Sequence, residues 1–518
     1  MKSPSAQAHA VPPRPNWAVV IAVMLLALLE VLDVTVVNVS LPHMIGTFGA
    51  TPDQITWVIT SYMISTAVVM PLTGFLTGRF GRRGVLLVAV VGFLVTSVLC
   101  GAAWNLSAMV VFRLFQGAFG AVLIPLSQTV LFDAFPREQR AKAMGIWGVA
   151  IMVAPLLGPV LGGYITEHYV WRWVFYVNLP LGLIGLLLVW GEVKDTPHRH
   201  QLSTDWKGLL LLSLALGCLQ AVLDMGHYRE WFESRLIQCL SALSLAAGIA
   251  FVVRGLSIDN HIVDLRLFRD RNFSLGCILI ASYCMSMFGT IILMPLLSQS
   301  LLGYPADIAG LVFLPRGLVS AVCMLLIGSF LAHRVDPRKL ILFGLCFTTV
   351  ACFEMSRFSL ETDMWGLTWP GILQGVGMAC IFGQISVVAF DNIPRERADE
   401  AAGLYSVTRT LGGAFGVALA STFFVRQEQV HWNVLGSHVT QYNPNFERWL
   451  DLQQLDWPTQ AALGRLGGEL VRQAQMLAFV DIYLAITWSF ALLVPFVLYL
   501  RRVIHGTGSS ASVPVHEA

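Results

Sequence analysis

The sequence predicts an all-α membrane protein with fourteen transmembrane helices and both termini in the cytoplasm. The first observation is composition: of 518 residues, 56% are hydrophobic and 12% are charged, whereas about 25% are charged in a soluble domain. The second is that apolar residues fall into runs of about 20, the length of a helix that crosses the ~30 Å hydrocarbon core. The third is that Lys and Arg cluster in alternate loops, which indicates topology.

Fourteen apolar runs follow one another, and an even number places both termini on one side. With the N-terminus in the cytoplasm, most of the 33 Lys and Arg are cytoplasmic, and the short outer loops hold only Arg172, Arg229, Arg235 and Arg357. The predicted spans are approximately 17–41, 54–77, 84–103, 108–132, 142–165, 172–192, 206–225, 235–255, 273–302, 308–332, 339–358, 364–390, 401–425 and 476–500.

A short internal repeat explains this number of spans. Gln116-Gly117 in span 4 matches Gln374-Gly375 in span 12, and three loop residues recur 255 positions later: Leu76, Arg79 and Arg83 as Leu331, Arg334 and Arg338. The repeat predicts two six-helix halves with a substrate site between them near the midplane. The predicted divisions are a cytoplasmic tail 1–16, a first half 17–200, two inserted helices 201–271, a second half 272–500 with a long outer segment 426–475, and a tail 501–518.

Five charged residues lie inside otherwise apolar spans: Glu30, Asp33, Arg113, Arg316 and Arg409. A charge within the bilayer costs several kcal/mol, so intramembrane ionisable residues mark substrate and ion pathways. These residues predict a transporter rather than a membrane anchor.

The two acids among these five residues are candidates for proton coupling. Glu30 and Asp33 are three residues apart, so their side chains share one helix face, about 5 to 6 Å apart at Cβ. Two carboxylates that close favour holding a proton, which one of them would carry down a gradient. The alternative is a hydrogen-bonded acid that only ties span 1 to its neighbours. The helical rise places Arg113 at a depth where it would meet Asp33, either as a switch for the proton or as a permanent ion pair.

The remaining polar candidates fall into two groups. Arg79, Arg82 and Arg83 follow span 2 and would form a cytoplasmic gate with acids such as Asp133, or act as topology determinants alone. Candidates for the substrate cavity, each with a purely structural alternative, are Gln116, Arg316, Gln374, Gln384 and Arg409.

Five motifs resemble one family. They are Leu32 to Pro42 in span 1, Gly74 to Arg83 after span 2, Arg113-x-x-Gln116-Gly117 in span 4, Gly158-Pro159-Val160-Leu161-Gly162-Gly163 in span 5, and Trp171 to Pro180 before and in span 6. Together they resemble the major facilitator superfamily, and within it the fourteen-helix drug:proton antiporters of the EmrB/QacA type.

The resemblance implies the major facilitator fold and proton-driven export of amphipathic, lipophilic compounds by alternating access. It assigns to Arg113 the release of the proton from the neighbouring acid, and to the antiporter motif, Gly158, Pro159, Gly162 and Gly163, a tight seal against proton leak. One residue departs from the pattern: Gly78 stands where the loop usually has aspartate, so the charge network of the gate is altered. The resemblance also implies a bacterial inner membrane location, and an outer segment 426–475 that docks a membrane-fusion adaptor and an outer-membrane channel.

Other protein classes lack support in this sequence. It contains no phosphate-binding Gly-x-x-x-x-Gly-Lys-Ser/Thr loop, no catalytic cluster, and no repeated filter loop of a channel. Its nine cysteines all fall in apolar spans, which predicts neither disulfides nor a metal site. No enzyme activity, cofactor or nucleic-acid partner is therefore expected. The alternatives left open are export of a siderophore or metabolite and, further from the pattern, a non-transporting membrane receptor.

Overall fold

The computed structural model describes residues 16–135, 139–194, 205–226, 229–257, 263–331, 334–440, 442–453 and 459–500. Within these ranges all regular secondary structure is helical. The fourteen long helices, labelled in chain order, are α1 Trp17–Phe48, α2 Trp57–Phe80, α3 Arg82–Gly101, α4 Leu106–Ala134, α5 Arg140–His168, α6 Trp173–Glu192, α7 Trp206–Met225, α8 Arg235–Ser257, α9 Arg271–Pro295, α10 Ala306–Leu326, α11 Pro337–Met355, α12 Met364–Ala389, α13 Ala398–Ser437 and α14 Gln460–Leu498.

Several long helices are interrupted or extended by irregular turns. A 3₁₀ turn, Met70–Leu72, lies within α2, and α4 consists of two pieces, Leu106–Gly120 and Leu123–Ala134. A π-helical turn extends α9 through Leu296–Leu301, and a second extends α10 through Ile327–Leu331. A π turn adds a residue to the helix and is frequent at functional sites.

Side-chain caps explain where many helices begin. The Oδ1 atom of Asn16 accepts a hydrogen bond from the Ala18 amide at 3.0 Å, so α1 begins at Trp17, the first residue of the hydrophobic stretch. An Asx or Thr side chain at the N-cap satisfies an amide that the helix leaves unpaired. The same arrangement starts six further long helices, with Asn105, Asp205, Asp270, Asp336, Asp363 and Thr459 as the capping residues.

In the described part of the chain, twelve helices are long and apolar enough to cross a membrane. The two others, α11 and α13, lie where spans 11 and 13 are predicted, and both are diluted by polar residues: α11 carries Arg338, Lys339 and Glu354 in 19 residues, and α13 contains Arg409 among glycines and hydroxyl side chains. The number fourteen, with cytoplasmic termini, therefore stays a prediction.

The same packing recurs in the first six and the last six of these helices. In the first set, α1 packs against α5 and α6, and α4 packs against α2 and α3. In the second set, α9 packs against α13 and α14, and α12 packs against α10 and α11. The two sets meet where α5 contacts α10 and α12, and where α2 and α4 contact α13.

The pair α7 and α8 forms a hairpin beside this arrangement. Arg254 binds both carboxylate oxygens of Asp205, with the Nη2 to Oδ1 distance 2.8 Å, and Ser244 donates to the Ala215 carbonyl at 2.8 Å. One side of α7 contacts α2 and α13, whereas α8 leaves most of its surface exposed. The hairpin is thus attached through α7.

The segment 426–475 is helical at both of its ends. Helix α13 continues to Ser437 and α14 begins at Gln460, so both ends of the segment extend the helices that flank it. Only a short helix, Pro444–Gln453, stands between them among the described residues. Span prediction ended each helix where hydrophobicity ends, but helical hydrogen bonding continues beyond it.

Candidate proton and substrate sites

Asp33 lies at the centre of a buried hydrogen-bond network between α1, α3, α4 and α6. Its Oδ2 atom accepts from Arg113 Nη1 at 2.6 Å, and its Oδ1 atom accepts from Gln116 Nε2 at 3.0 Å and Asn178 Nδ2 at 2.7 Å. Asn178 donates a further hydrogen bond to Ser97 Oγ at 3.0 Å. Three donors therefore converge on one carboxylate, and Asp33 is 1% exposed.

The Arg113 guanidinium is completely buried and has several partners besides Asp33. Its Nε donates to the Val58 carbonyl at 3.1 Å, and its Nη1 also donates to Gln116 Oε1 at 2.9 Å. Its Cζ lies 4.2 Å from the centre of the Tyr62 ring, within cation–π range. The Nη2 atom is buried with no hydrogen-bond partner in the described part of the chain. These contacts hold the guanidinium across the gap between α2 and α1.

Glycine on α4 allows this close approach. A Cβ at Gly117 would lie 2.3 Å from Ser65 Oγ and 2.4 Å from the Tyr62 carbonyl oxygen, closer than any side chain permits. Thr66 Oγ1 donates to the Gly117 carbonyl at 3.2 Å across the same contact. Because α2 and α4 touch at this level, Tyr62 lies directly against Arg113.

Glu30, one turn earlier on α1, has a different environment. Its Oε2 atom accepts from the Ile124 amide at 3.2 Å, at the start of the second piece of α4. The first turn of a helix has free N–H groups and a partial positive charge, so it stabilises a carboxylate. Arg409 on α13 is the positively charged neighbour of Glu30. The acid therefore lies at the boundary between the two sets of helices, whereas Asp33 lies within the first.

The Arg409 guanidinium lies near two stacked aromatic rings. Its Cζ is 5.9 Å from the ring centre of Trp147 on α5 and 6.0 Å from that of Phe382 on α12, and these rings stack 6.0 Å apart. Trp147 is fixed by a hydrogen bond from its Nε1 to Ser127 Oγ at 2.8 Å. This layer contains apolar rings with one acid and one base, the composition of a site for amphipathic molecules.

Arg316 and two predicted glutamines lie in the second set of helices. Arg316 is 9% exposed on α10, and it packs against Gly371 and Gly375 of α12, the second of which follows Gln374 in the sequence. Gln374 Nε2 contacts Cys352 Sγ at 3.8 Å, while the Oε1 atoms of Gln374 and Gln384 are buried without partners among the described side chains. Gln116, also predicted for the cavity, instead belongs to the Asp33 network.

Glycines of the antiporter motif bring α5 against α1. A Cβ at Gly158 would lie 2.0 Å from Thr35 Oγ1, and one at Gly162 would lie 3.1 Å from the Val36 carbonyl oxygen. Gly163 faces open space. The side chain of Pro159 lies outside the described residues. The contact places α5 within two residues of Asp33 along α1.

The predicted gate residue Arg82 joins the two sets of helices. Its Nη1 lies 2.6 Å from Asp133 Oδ2 at the end of α4, and its Nη2 lies 2.8 Å from Asp399 Oδ1 in the first turn of α13. Gly74 packs at the same level against the Glu400 backbone. Gly78 contributes no carboxylate, but Asp133 and Asp399 provide two for Arg82.

The neighbouring arginines differ from Arg82. Arg83 donates to the Trp190 carbonyl on α6, so it ties two helices of the first set together. Arg79 is exposed, with its Cζ 5.8 Å from the Phe80 ring centre. The backbone turns between α2 and α3 at Gly81, whose φ of 76° favours glycine.

Sequence reasoning missed three residues of these sites. Asn178 was visible only as part of a motif, and Ser97 gave no signal because a serine in an apolar span is common. Asp399 follows three charged residues at the start of span 13, and an acid in a first helical turn reads as a capping residue. Among the described residues, no three His, Cys, Asp or Glu side chains come together as a metal site requires.

Comparison with known proteins identifies the family of this chain. The model of the Major Facilitator Superfamily matches residues 23–417. The chain belongs to that superfamily. Similar superfamily members include the "Multidrug export protein EmrB" of Escherichia coli strain K12, 35% identical over 467 residues that cover 89% of this chain and 91% of the relative. The "Fatty acid resistance protein FarB" of Neisseria gonorrhoeae is 35% identical over 495 residues, which cover 95% of this chain and 97% of the relative.

Solved superfamily structures share the fold. The human organic anion transporter MFSD10 (TETRAN) has a TM-score of 0.61 and 17% identity, and the match covers 92% of this chain and 100% of that chain. The proton:xylose symporter XylE has a TM-score of 0.58 and 15% identity, with 94% of this chain and 96% of that chain covered. The chain is a multi-pass membrane protein of this all-helical fold, and its relatives indicate a transporter rather than an enzyme.

Proposed function

We propose that this protein exports amphipathic, lipophilic compounds in exchange for protons, by alternating access of a site between its two halves. The observation that carries the proposal is the buried Asp33, to which Arg113, Gln116 and Asn178 all donate. The names of the EmrB and FarB relatives, which refer to multidrug export and to fatty acid resistance, support the substrate class.

The network offers a way to couple proton binding to helix movement. Three donors suit an ionised carboxylate, so Asp33 takes up a proton only when at least Arg113 moves away. Arg113 already contacts the Val58 carbonyl and the Tyr62 ring on α2, which would keep its charge solvated by protein in the displaced position. Protonation of Asp33 would thereby change the contact between α1 and α4.

The Arg82–Asp399 pair defines which side of the membrane is closed in this structure, according to the proposed topology. In the proposed topology all fourteen long helices span the membrane, the termini and the loop between α2 and α3 are cytoplasmic, and the Arg82–Asp399 pair closes the cytoplasmic side. Opening to that side would break the pair, because Arg82 and Asp399 belong to different halves. We place the protein in a bacterial inner membrane.

A partner complex is part of the proposal. Helices α13 and α14 continue into the segment 426–475, where Gln427 and His431 both bind Asp481 Oδ2, at 2.8 and 2.7 Å. Gln475 donates to Glu428 Oε1 at 2.9 Å in the same region. These contacts stiffen a paired helical extension, which we propose as the docking element for a membrane-fusion adaptor that leads to an outer-membrane channel.

Transport by the purified protein in liposomes tests the proposal. With a pH gradient imposed, we expect accumulation of several structurally unrelated amphipathic compounds, and its loss when nigericin collapses the gradient. Transport confined to one polar metabolite or siderophore would favour that alternative. Binding without any transport would favour a receptor. A toxicity profile of an efflux-deficient host with and without the chain selects the compounds.

A further inference from the structure

The second half contains a site that corresponds to the Asp33 site but lacks its carboxylate. Gly117 on α4 packs on the Tyr62 carbonyl of α2, and Gly375 on α12 packs on the Arg316 carbonyl of α10, where a Cβ would lie 2.5 Å from the oxygen. Arg316 therefore occupies the place of Tyr62. Arg316 follows Tyr62 by 254 residues, whereas Leu331 follows its counterpart Leu76 by 255 residues. The π-helical turn Ile327–Leu331 accounts for this difference of one residue.

The surrounding residues correspond as well. Gln374 matches Gln116, and Cys352 matches Ser97 at the offset of 255 residues. Gly371 stands where the first half has Arg113. A Cβ added to Gly371 would lie 3.8 Å from the Cβ of Arg316, so the glycine leaves space beside this arginine. The second half thus places its arginine on α10 instead of α12, directed at the same kind of polar cluster.

The guanidinium of Arg316 has no anionic partner. Among the described residues it makes no ion pair, and its electrostatic neighbours, Tyr283, Cys352 and Tyr483, are uncharged at neutral pH. An unpaired charge in a membrane protein interior is costly, so such a residue marks a site that is completed by a ligand. Arg113 in the first half obtains this compensation from Asp33.

Two buried polar groups near Arg316 are also without partners. The Tyr283 hydroxyl and Gln374 Oε1 make no hydrogen bond to the described chain, although each residue is 1% exposed. A hydroxyl can donate to an anion, and an amide flip would direct the Gln374 N–H groups to the same place. Gln116 shows the flipped arrangement, since its Nε2 faces a carboxylate and its Oε1 faces Cys100 Sγ.

We propose that Arg316, Tyr283 and Gln374 bind the carboxylate of a lipophilic acid, which takes in the second half the place of the Asp33 carboxylate in the first. The guanidinium fork would form paired hydrogen bonds with both carboxylate oxygens. The apolar body of the ligand would lie towards the boundary between the halves. This inference rests on the proposed export function and defines one substrate class for it.

Equilibrium binding of three matched fluorescent probes tests the site. The probes are 9-anthroate, 9-anthracenemethanol and 9-(aminomethyl)anthracene, which share a ring system and differ in charge, and the full chain is held in phosphatidylcholine nanodiscs. We expect Arg316→Met to weaken anthroate binding by about tenfold or more, the effect of losing a charged hydrogen bond. The neutral probe should bind as before, and Arg316→Lys should be intermediate because lysine lacks the fork.

Two further variants separate binding from folding. Arg357→Met removes an exposed arginine that follows α11, and it should leave all three affinities unchanged. Tyr283→Phe keeps the ring and should weaken anthroate binding alone. Anthroate affinity that is unchanged in Arg316→Met would overturn the proposal. Displacement of anthroate from the wild type by a small fraction of phosphatidylglycerol would assign the site to a lipid head group and also overturn it.

The outcome is separable from that of the proposed function. If no probe is transported in liposomes but anthroate binding depends on Arg316, the export function fails and the site stands. If transport is driven by the pH gradient while anthroate binding is indifferent to Arg316, the site fails and the export function stands.

Discussion

Asp33 and Arg113 form the buried ion pair on which the account of proton coupling depends. Their atoms approach to 2.6 Å with both side chains fully buried. A buried pair gains little net stability over an apolar replacement, whereas removal of one partner leaves a costly unpaired charge. Such a pair is therefore better explained by a change of charge during function than by stability alone.

Arg113 variants test the role of the guanidinium. Without it, Asp33 keeps only amide donors, so the network no longer contains a cation that balances the carboxylate charge. We expect Arg113→Ala to reduce gradient-driven export by about tenfold or more and to move the pH of half-maximal export upward, because a charged hydrogen bond contributes about 1.5–3 kcal/mol. Arg113→Lys should retain part of the activity.

The control for this prediction is Arg172→Lys, which alters an arginine that donates to the Ala103 carbonyl on the same half but outside the network. Export rates measured from pH 5.5 to 8.5 in liposomes give the profile. Identical profiles for wild type and both Arg113 variants would mean that the pair is purely structural.

The sequence predicted that Asp33 and Arg113 would meet, but it did not predict which other residues contact them. Helical rise alone placed Asp33 and Arg113 at similar depths, because both lie on long regular helices. It could not predict that Asn178 reaches the same carboxylate, since this depends on how α6 packs against α1. The partner of Arg82 on α13 was missed for the same reason: a contact between residues 317 positions apart has no local signal.

Helix packing between α1 and α5 depends on the glycines of the antiporter motif. Gly158→Ala would place a methyl group 2.0 Å from Thr35 Oγ1, so α1 or α5 must shift. Overpacking of this kind costs about 1–3 kcal/mol, and here it also displaces the helix that carries Asp33. We expect a lower midpoint of thermal unfolding in detergent and slower export.

Gly163→Ala is the matched control, because a Cβ there meets nothing within 4 Å. It lies in the same motif and the same helix. Equal loss of stability in the two variants would show that helix flexibility, rather than close contact with α1, is what the motif provides.

The gate between α3 and α13 can be tested by removing each carboxylate in turn. Asp399→Asn breaks the tie between the halves, whereas Asp133→Asn leaves it and removes only the partner within the first half. An equilibrium between two conformations separated by a few kcal/mol shifts measurably when one such contact is lost. We expect Asp399→Asn to populate a state in which the ends of α2 and α13 are farther apart.

Double electron–electron resonance between spin labels at Phe80 and Glu396 measures that separation, in a background without the native cysteines. The fraction of molecules with the longer distance should increase in Asp399→Asn and stay near the wild-type fraction in Asp133→Asn. Equal distributions in all three proteins would remove Asp399 from the gate.

The two halves of the molecule share a packing plan but differ in charge. The first half pairs its buried arginine with Asp33, and the second leaves Arg316 without an acid among the described residues. If the two proposals hold, the first half would bind a proton and the second half an anion, which would be a physical basis for exchange between the two ligands. The repeat was visible in the sequence through Gln116-Gly117 and Gln374-Gly375, but the correspondence of Tyr62 and Arg316 appears only in the helix contacts of Gly117 and Gly375.

The whole-molecule prediction from hydropathy was accurate for positions and less so for ends. Each of the long helices overlaps a predicted span, because an apolar run of bilayer length is a strong signal. Helices α13 and α14 extend well beyond the apolar run, since hydropathy reports the membrane boundary and not the end of helical hydrogen bonding. For that reason the paired extension was not foreseen.

Transport by Asp33→Asn in liposomes tests the central claim most directly. The amide keeps the shape of the carboxylate but cannot release a proton. Proton coupling through Asp33 predicts that Asp33→Asn loses accumulation driven by a pH gradient while it still exchanges labelled for unlabelled substrate at equal pH, because exchange needs alternating access without net proton transfer. Undiminished gradient-driven accumulation by Asp33→Asn would contradict it.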